Sequence, residues 1–162
     1  FKGLEFRSLG PALTSGRIAD IAIHPKNESV WYVAVGSGGV WKTINNGTTW
    51  KPIFDKQASY SIGCVTIDPN NPSTIWVGTG EGNPRNSLNG GFGIYKSLDA
   101  GKTWKLMGLE KTRHIHRVII DPTNPNTVYV AAIGSPWGEH KERGVYKTTD
   151  GGKTWKQILF NI

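Results

Sequence analysis

Cysteine is nearly missing from these 162 residues: Cys64 is the only one, so no disulfide can close within the chain. Its apolar setting, from Ile62 to Ile67, reads as that of a small buried hydrophobe rather than a nucleophile. No apolar run approaches the roughly 18 residues of a membrane-spanning helix, so no membrane insertion is expected. Helical periodicity is absent throughout. The chain opens on Phe1 rather than Met, which implies a processed or cut N-terminus. Acids are scarce, 12 against 19 Lys and Arg, for a net charge of +7. Such an excess would suit an acidic partner. However, Lys42, Lys51, Lys96, Lys102, Lys105, Lys147, Lys153 and Lys156 lie in or beside three recurring turns rather than clustering with Arg and aromatics. They read as solvated turn and edge lysines, which discourage edge pairing, and no nucleic-acid partner is expected.

What the chain has instead is Gly, Pro, Trp, Thr and Val, a composition of short strands and tight turns. It also repeats itself. "TINNGTTW" ends at Trp50, "SLDAGKTW" at Trp104 and "TTDGGKTW" at Trp155, steps of 54 and 51 residues. Each repeat carries four β-prone stretches. An apolar run ends in a Pro turn ("IAIHPKN", "VTIDPNNP", "VIIDPTNP"), because Pro cannot donate to a ladder and Asp or Asn caps its own turn. Then come "VWYVAV", "TIWVGT" and "TVYVAA", then "GVWKT", "GIYKS" and "GVYKT", and finally the stretch after the repeated Trp. Four strands at a period near 50 predict all-β propeller blades. The expected division is residues 18–56, 57–110 and 111–162 for three blades. Residues 1–17 would supply a lead-in and the outer strand of a last blade.

In the repeated phrase, Thr43, Ser97 and Thr148, with Asn45, Asp99 and Asp150, can bind backbone N–H groups of their own turn. Gly47, Gly101 and Gly152 are expected at positive φ, and Trp50, Trp104 and Trp155 are expected to bury a ring against the blade. Asn45 cannot do an ionised carboxylate's chemistry, so the shared role of the three positions is structural.

The phrase S/T-x-D/N-x-G-x-T-W resembles the Asp-box, or BNR repeat, of sialidases, xyloglucanase-type glycoside hydrolases and the sortilin family. The likeness runs from Ile18 to Leu159. The surrounding wording ("SGRIADIAIHP", "GTGEGNPRNS", "GVYKTTDGGKTW") is similar to large secreted bacterial proteins called glycosyl-hydrolase-like or sortilin-like. The resemblance implies a Asp-box propeller, secreted, periplasmic or cell-surface, without a cofactor. Closed propellers typically have four to eight blades, so three are expected to need the remaining blades or another chain.

Length varies at one place. From second-strand to third-strand aromatic the separation is 9, 19 and 17 residues (Tyr32 to Trp41, Trp76 to Tyr95, Tyr129 to Tyr146). Variable loops on one face of a rigid scaffold are where binding sites are built. Arg17, Ser61 and His114, each eight residues before its unit's turn Pro, belong to that face. The long loops add Glu81, Asn83, Arg85, Asn86, Trp137, Glu139 and His140. Arg17, Asn83, Arg85, Asn86, His114, Trp137 and His140 are the expected contacts to a glycan or polypeptide. The bland reading is that Gly, Pro and Asn turn these loops and the charges are solvated. Glycoside hydrolysis needs two carboxyl groups about 5–9.5 Å apart, and Glu81 with Glu139 is the only pair on suitable loops. Xyloglucanase-type enzymes carry a catalytic Asp in a stretch resembling "R-T-D-I-G-G", where this chain has "AVGSGG" and Gly36. That departure favours a binding module over the alternative, a hydrolase segment with further catalytic residues outside this chain. His114 and His116, two apart in "HIH", are expected to point both rings to one strand face and could bind a metal, but no third ligand has matching spacing, so structural or hydrogen-bonded histidines are favoured and no metal is expected.

Overall fold

The computed structural model describes residues 16–83 and 88–160. The expectation for residues 1–15 therefore lies outside the described residues. Among the described residues, twelve strands form three antiparallel four-stranded sheets, each in sequence order. The first sheet comprises β1 (Ile18–Ile23), β2 (Trp31–Val35), β3 (Gly39–Thr43) and β4 (Lys51–Pro52). The second comprises β5 (Ile62–Ile67), β6 (Ile75–Thr79), β7 (Ile94–Ser97) and β8 (Lys105–Leu106). The third comprises β9 (Ile115–Ile120), β10 (Val128–Ala132), β11 (Gly144–Thr148) and β12 (Lys156–Phe160). The first strands of the sheets lie side by side, β1 by β5 and β5 by β9, which is how propeller blades stack around an axis.

The turns form as their residue types dictate. Asp68 Oδ1 accepts the N–H groups of Asn70 and Asn71, and Asp121 Oδ1 those of Thr123 and Asn124, before the second strand begins. In the repeated phrase the hydroxyl of Thr43, Ser97 or Thr148 accepts the N–H of Gly47, Gly101 or Gly152 at 2.9–3.0 Å. Asp99 and Asp150 each take a Thr N–H on one carboxylate oxygen and that Thr's hydroxyl on the other, the latter at 2.6 Å. Asn45 builds the same turn by reversing one bond, its Nδ2 donating to Thr49 Oγ1 at 3.0 Å. The Gly of each phrase has φ between 81° and 94°, and the residue before it is also at positive φ.

The joints between sheets carry a second repeat. Trp104 donates its indole N–H to the Ile53 carbonyl of the preceding blade at 2.8 Å, and its ring meets Phe54 edge-on. Trp155 does the same to Met107 at 2.7 Å and meets Trp76. In both, the half-buried ring packs against the neighbouring blade and not chiefly against its own. Lys42 and Lys96 are half-buried, unlike the solvated lysines expected: their amines lie over Tyr32 and Trp76 and donate to the Ala100 and Gly151 carbonyls of the next blade. A Cβ on Gly101 or Gly152 would fall 2.7 Å from Ile53 or 2.6 Å from Trp76, so glycine serves the joint as well as the turn. Two clusters fill the joints: Tyr32, Ala34, Val40 and Phe54 against Ile62, Val65, Ile75 and Val77, then Trp76 and Ile94 against Ile115, Val118, Val128 and Val130.

Each inner strand also carries a bulge at its second residue, Ala19, Gly63 and His116. The bulge breaks the alternation that would put His114 and His116 on one face: His114 is buried and His116 exposed.

Candidate functional site: the loop face

Arg17, Ser61 and His114 occupy equivalent places at the mouths of the three blades. Each carbonyl accepts a backbone N–H from the end of its own second strand, from Gly36, Gly80 and Ile133, at 2.8–2.9 Å. The antiparallel order puts the long second-to-third-strand loops at this same end.

Glu81 lies at the centre of the second blade's mouth, 2% exposed. Its carboxylate pairs with the Arg17 guanidinium of the first blade, and Arg17 also donates to the Asn83 carbonyl at 3.1 Å. The Glu81 N–H donates to Ser61 Oγ and to the Asn89 carbonyl, which Ser61 Oγ also reaches. The buried carboxylate is thus held by an ion pair across two blades. A Cβ on Gly36 would stand 2.9 Å from Glu81 Oε1, so the carboxylate fills the space a side chain at 36 would use. Glu139, in contrast, is exposed on the third blade's loop. The two carboxylates sit in opposite environments, one buried and neutralised by Arg17, the other solvated.

His114 is buried beside this centre, and burial lowers its pKa, opposed by a backbone hydrogen bond at Glu81. An imidazole so placed is neutral at neutral pH. Nδ1 of His114 and Nδ1 of His140 are both buried without a hydrogen-bond partner among the described residues, and the His140 ring packs against Gly134. No group of three metal-ligating side chains occurs among the described residues.

The loop of residues 133–143 is clamped by a residue that sequence reasoning missed. Arg143 donates to the carbonyls of Ile133, Ser135 and Gly138 at 2.6–2.8 Å. Its own carbonyl takes Gln157 Nε2. Nothing in "GEHKERG" distinguishes an inward arginine from a solvated one. On this braced loop Trp137 is 73% exposed, the most exposed of the large hydrophobic side chains described. Asn83 is exposed beside Arg17, whereas Arg85 and Asn86 lie outside the described residues.

Comparison with known proteins agrees with this geometry. The BNR/Asp-box repeat family matches residues 146–157. These sheets are Asp-box propeller blades. The chain is 28% identical over 158 residues to a xyloglucanase of Hypocrea jecorina (strain QM6a), covering 88% of this chain and 18% of that protein. The blades superpose on the GH74 enzyme of Niastella koreensis with a TM-score of 0.66 at 28% identity, over 86% of this chain and 21% of that one. They also share the fold of YCF48 bound to D1 peptide, with a TM-score of 0.59 at 15% identity over 94% of this chain and 44% of that one. The chain therefore spans about a fifth of the length of the xyloglucanase and the GH74 enzyme it resembles.

Proposed function

We propose that these blades belong to a secreted, periplasmic or cell-surface propeller that binds a glycan or polypeptide on its loop face, and that this segment does not itself hydrolyse the ligand. Trp137 carries the reading. An indole left 73% exposed on a loop that three arginine hydrogen bonds hold rigid has no structural task, and such rings stack on sugars and peptide side chains. The xyloglucanase and GH74 relatives tilt the ligand towards a glycan. Gly36 and the Arg17–Glu81 pair support binding over hydrolysis: position 36 offers no carboxylate, and Glu81 gives its charge to an arginine.

Calorimetric titration of the full chain with xyloglucan oligosaccharides, other β-glucans and peptides tests this. Trp137→Ala is expected to weaken binding at least about tenfold, the loss of one stacking anchor of about 1.4 kcal/mol or more. No change in affinity for any ligand would remove the loop face from consideration. A second reading, a glycoside hydrolase segment, draws on the similarity to a xyloglucanase. Turnover of oligosaccharide that disappears in Glu81→Gln while binding persists would establish it and overturn the preferred one.

The same proposal includes further blades. The outward hollow of the first blade is lined by Ile18, Ile21, Trp31, Val33, Val35, Trp41 and Trp50, the counterparts of residues the second blade buries. A blade of the same polypeptide or of another chain would cover it.

A further inference from the structure

At the end of the molecule opposite the long loops, a groove of about 630 Å³ follows the joint between the first and second blades. Lys42, Lys51, Lys56 and Lys102 line it, with a single acid, Asp55. The amines crowd one another: burial lowers the Lys42 pKa, and the charges of Lys102 and Lys51 lower it further. Between the cations lie Trp104 and Ile44, the latter 67% exposed.

The next joint repeats the composition. Lys96, Lys105 and Lys153 stand where Lys42, Lys51 and Lys102 stand, and Leu98, again 67% exposed, replaces Ile44. The acid there, Asp150, has both carboxylate oxygens committed to its own turn. Among the described residues the one ion pair is Arg17–Glu81, at the other end of the blades. These lysines are thus a periodic set of cations that outnumber the acids beside them, Asp55 at the first joint and Asp150 and Asp68 at the second, with no ion pair formed between them among the described residues, each group beside an exposed aliphatic side chain.

We propose that this rim binds an acidic polysaccharide, a chain of uronate sugars whose carboxylates pair with the lysines of successive joints. Its pyranose C–H faces would rest on Ile44 and Leu98. No arginine lines either groove, and arginine is the residue of choice for nucleic-acid recognition; a lysine ammonium offers each acidic group a point charge, which suits singly charged carboxylates carried one per sugar. No stacking platform repeats from joint to joint either: in the first groove Trp104 has its N–H bound and its ring edge-on to Phe54, which leaves Trp50, 40% exposed and tilted against Trp31, and no aromatic side chain lines the second groove. An acidic peptide would need partners for its backbone, and the carbonyl that faces the first groove, Ala100, is already taken by Lys42 and Tyr32.

The test is titration of the full chain with oligogalacturonate, a neutral galactan of equal length, poly-glutamate and single-stranded DNA. Oligogalacturonate should bind at low salt and weaken steeply as salt rises, with the neutral galactan silent. Lys51→Glu with Lys102→Glu should weaken it at least tenfold, and Lys51→Gln with Lys102→Gln by less. Both side chains are exposed, and an unchanged thermal midpoint confirms folding. Trp137→Ala should leave this affinity unchanged, which separates the rim from the loop face. Absence of uronate binding, indifference to charge reversal, or equal binding of poly-glutamate or DNA would each overturn the proposal.

Discussion

The first and second blades present the same face to opposite circumstances. Ile62, Val65, Ile75 and Val77 of the second blade are at most 3% exposed because the first blade covers them. Their counterparts Ile18 and Ile21 are 56% and 52% exposed. Trp104 reaches across and donates to Ile53, whereas Trp50, at the same place in the same phrase, is 40% exposed and only tilts against Trp31 of its own sheet. The phrase therefore builds its turn unaided, but the indole's contribution depends on a neighbour. A propeller's stability resides largely in its joints, as in other stacked repeats, where each unit buries its apolar surface on the next.

Removing the indole is the largest expected break. Trp104→Ala deletes the edge-on contact with Phe54 and leaves the Ile53 carbonyl without its donor, at a cost of about 2–4 kcal/mol. Trp155→Ala should cost a similar amount through Trp76 and Met107. Chemical denaturation midpoints of the full chain measure both. Trp50→Ala sharpens the comparison, because its cost in the full chain reports whether another blade covers that face. A loss equal to that of Trp104→Ala is expected; a loss under about 1 kcal/mol would mean that the first blade's face stays open.

A smaller break comes from adding one carbon. The bulge residue of the second blade is Gly63, and a Cβ there would fall 2.1 Å from the Ile115 carbonyl oxygen and 2.5 Å from that of Gly80. Backbone cannot move aside as a side chain can, so Gly63→Ala should cost about 2 kcal/mol, within the usual range for overpacking. The first blade holds Ala19 at the same bulge, where a Cβ is already accommodated. Ala19→Gly should change the denaturation midpoint far less. Equal effects at the two bulges would show that the clash is relieved by small shifts.

The blades were legible in the sequence because each strand and turn is written three times, so one ambiguous stretch is corrected by two others. Pro turns, the S/T-x-D/N-x-G phrase and the loop lengths all report local chemistry. The joints were not legible. That Lys42 crosses to Ala100, or that Trp104 caps Ile53 rather than its own sheet, depends on the distance between sheets, which no local pattern encodes. The loop face was half legible. Its residues could be gathered by counting back from each Pro, but the Arg17–Glu81 pair joins positions 64 residues apart. The bulge that separates His114 from His116 left no composition signal, since Ala19, Gly63 and His116 fill it in turn.

The smallest effect concerns the single side-chain atom, nitrogen for oxygen, by which Asn45 differs from Asp99 and Asp150. Hydrogen bonds from Thr103 and Ser97 hold the Asp99 carboxyl well below its ordinary value of 3.8, and those from Thr154 and Thr148 do the same for Asp150. A carboxyl with a depressed folded-state pKa stabilises the fold above its unfolded value and loses that contribution as the pH falls through the folded one. The second and third blades should therefore weaken below about pH 4, while the turn of the first, built on Asn45, does not titrate. Asp99→Asn should barely move the denaturation midpoint at pH 7, because Asn45 shows that an amide makes the turn by donating to the following Thr hydroxyl. At acid pH the variant carrying both Asp99→Asn and Asp150→Asn should lose less stability than the parent, and Asn45→Asp should lose more. Midpoints measured from pH 7 down to about pH 2 decide it. Parallel curves for all three proteins would mean that the acid sensitivity resides elsewhere, in Asp121 of the Pro turn, whose pKa Thr123 likewise lowers.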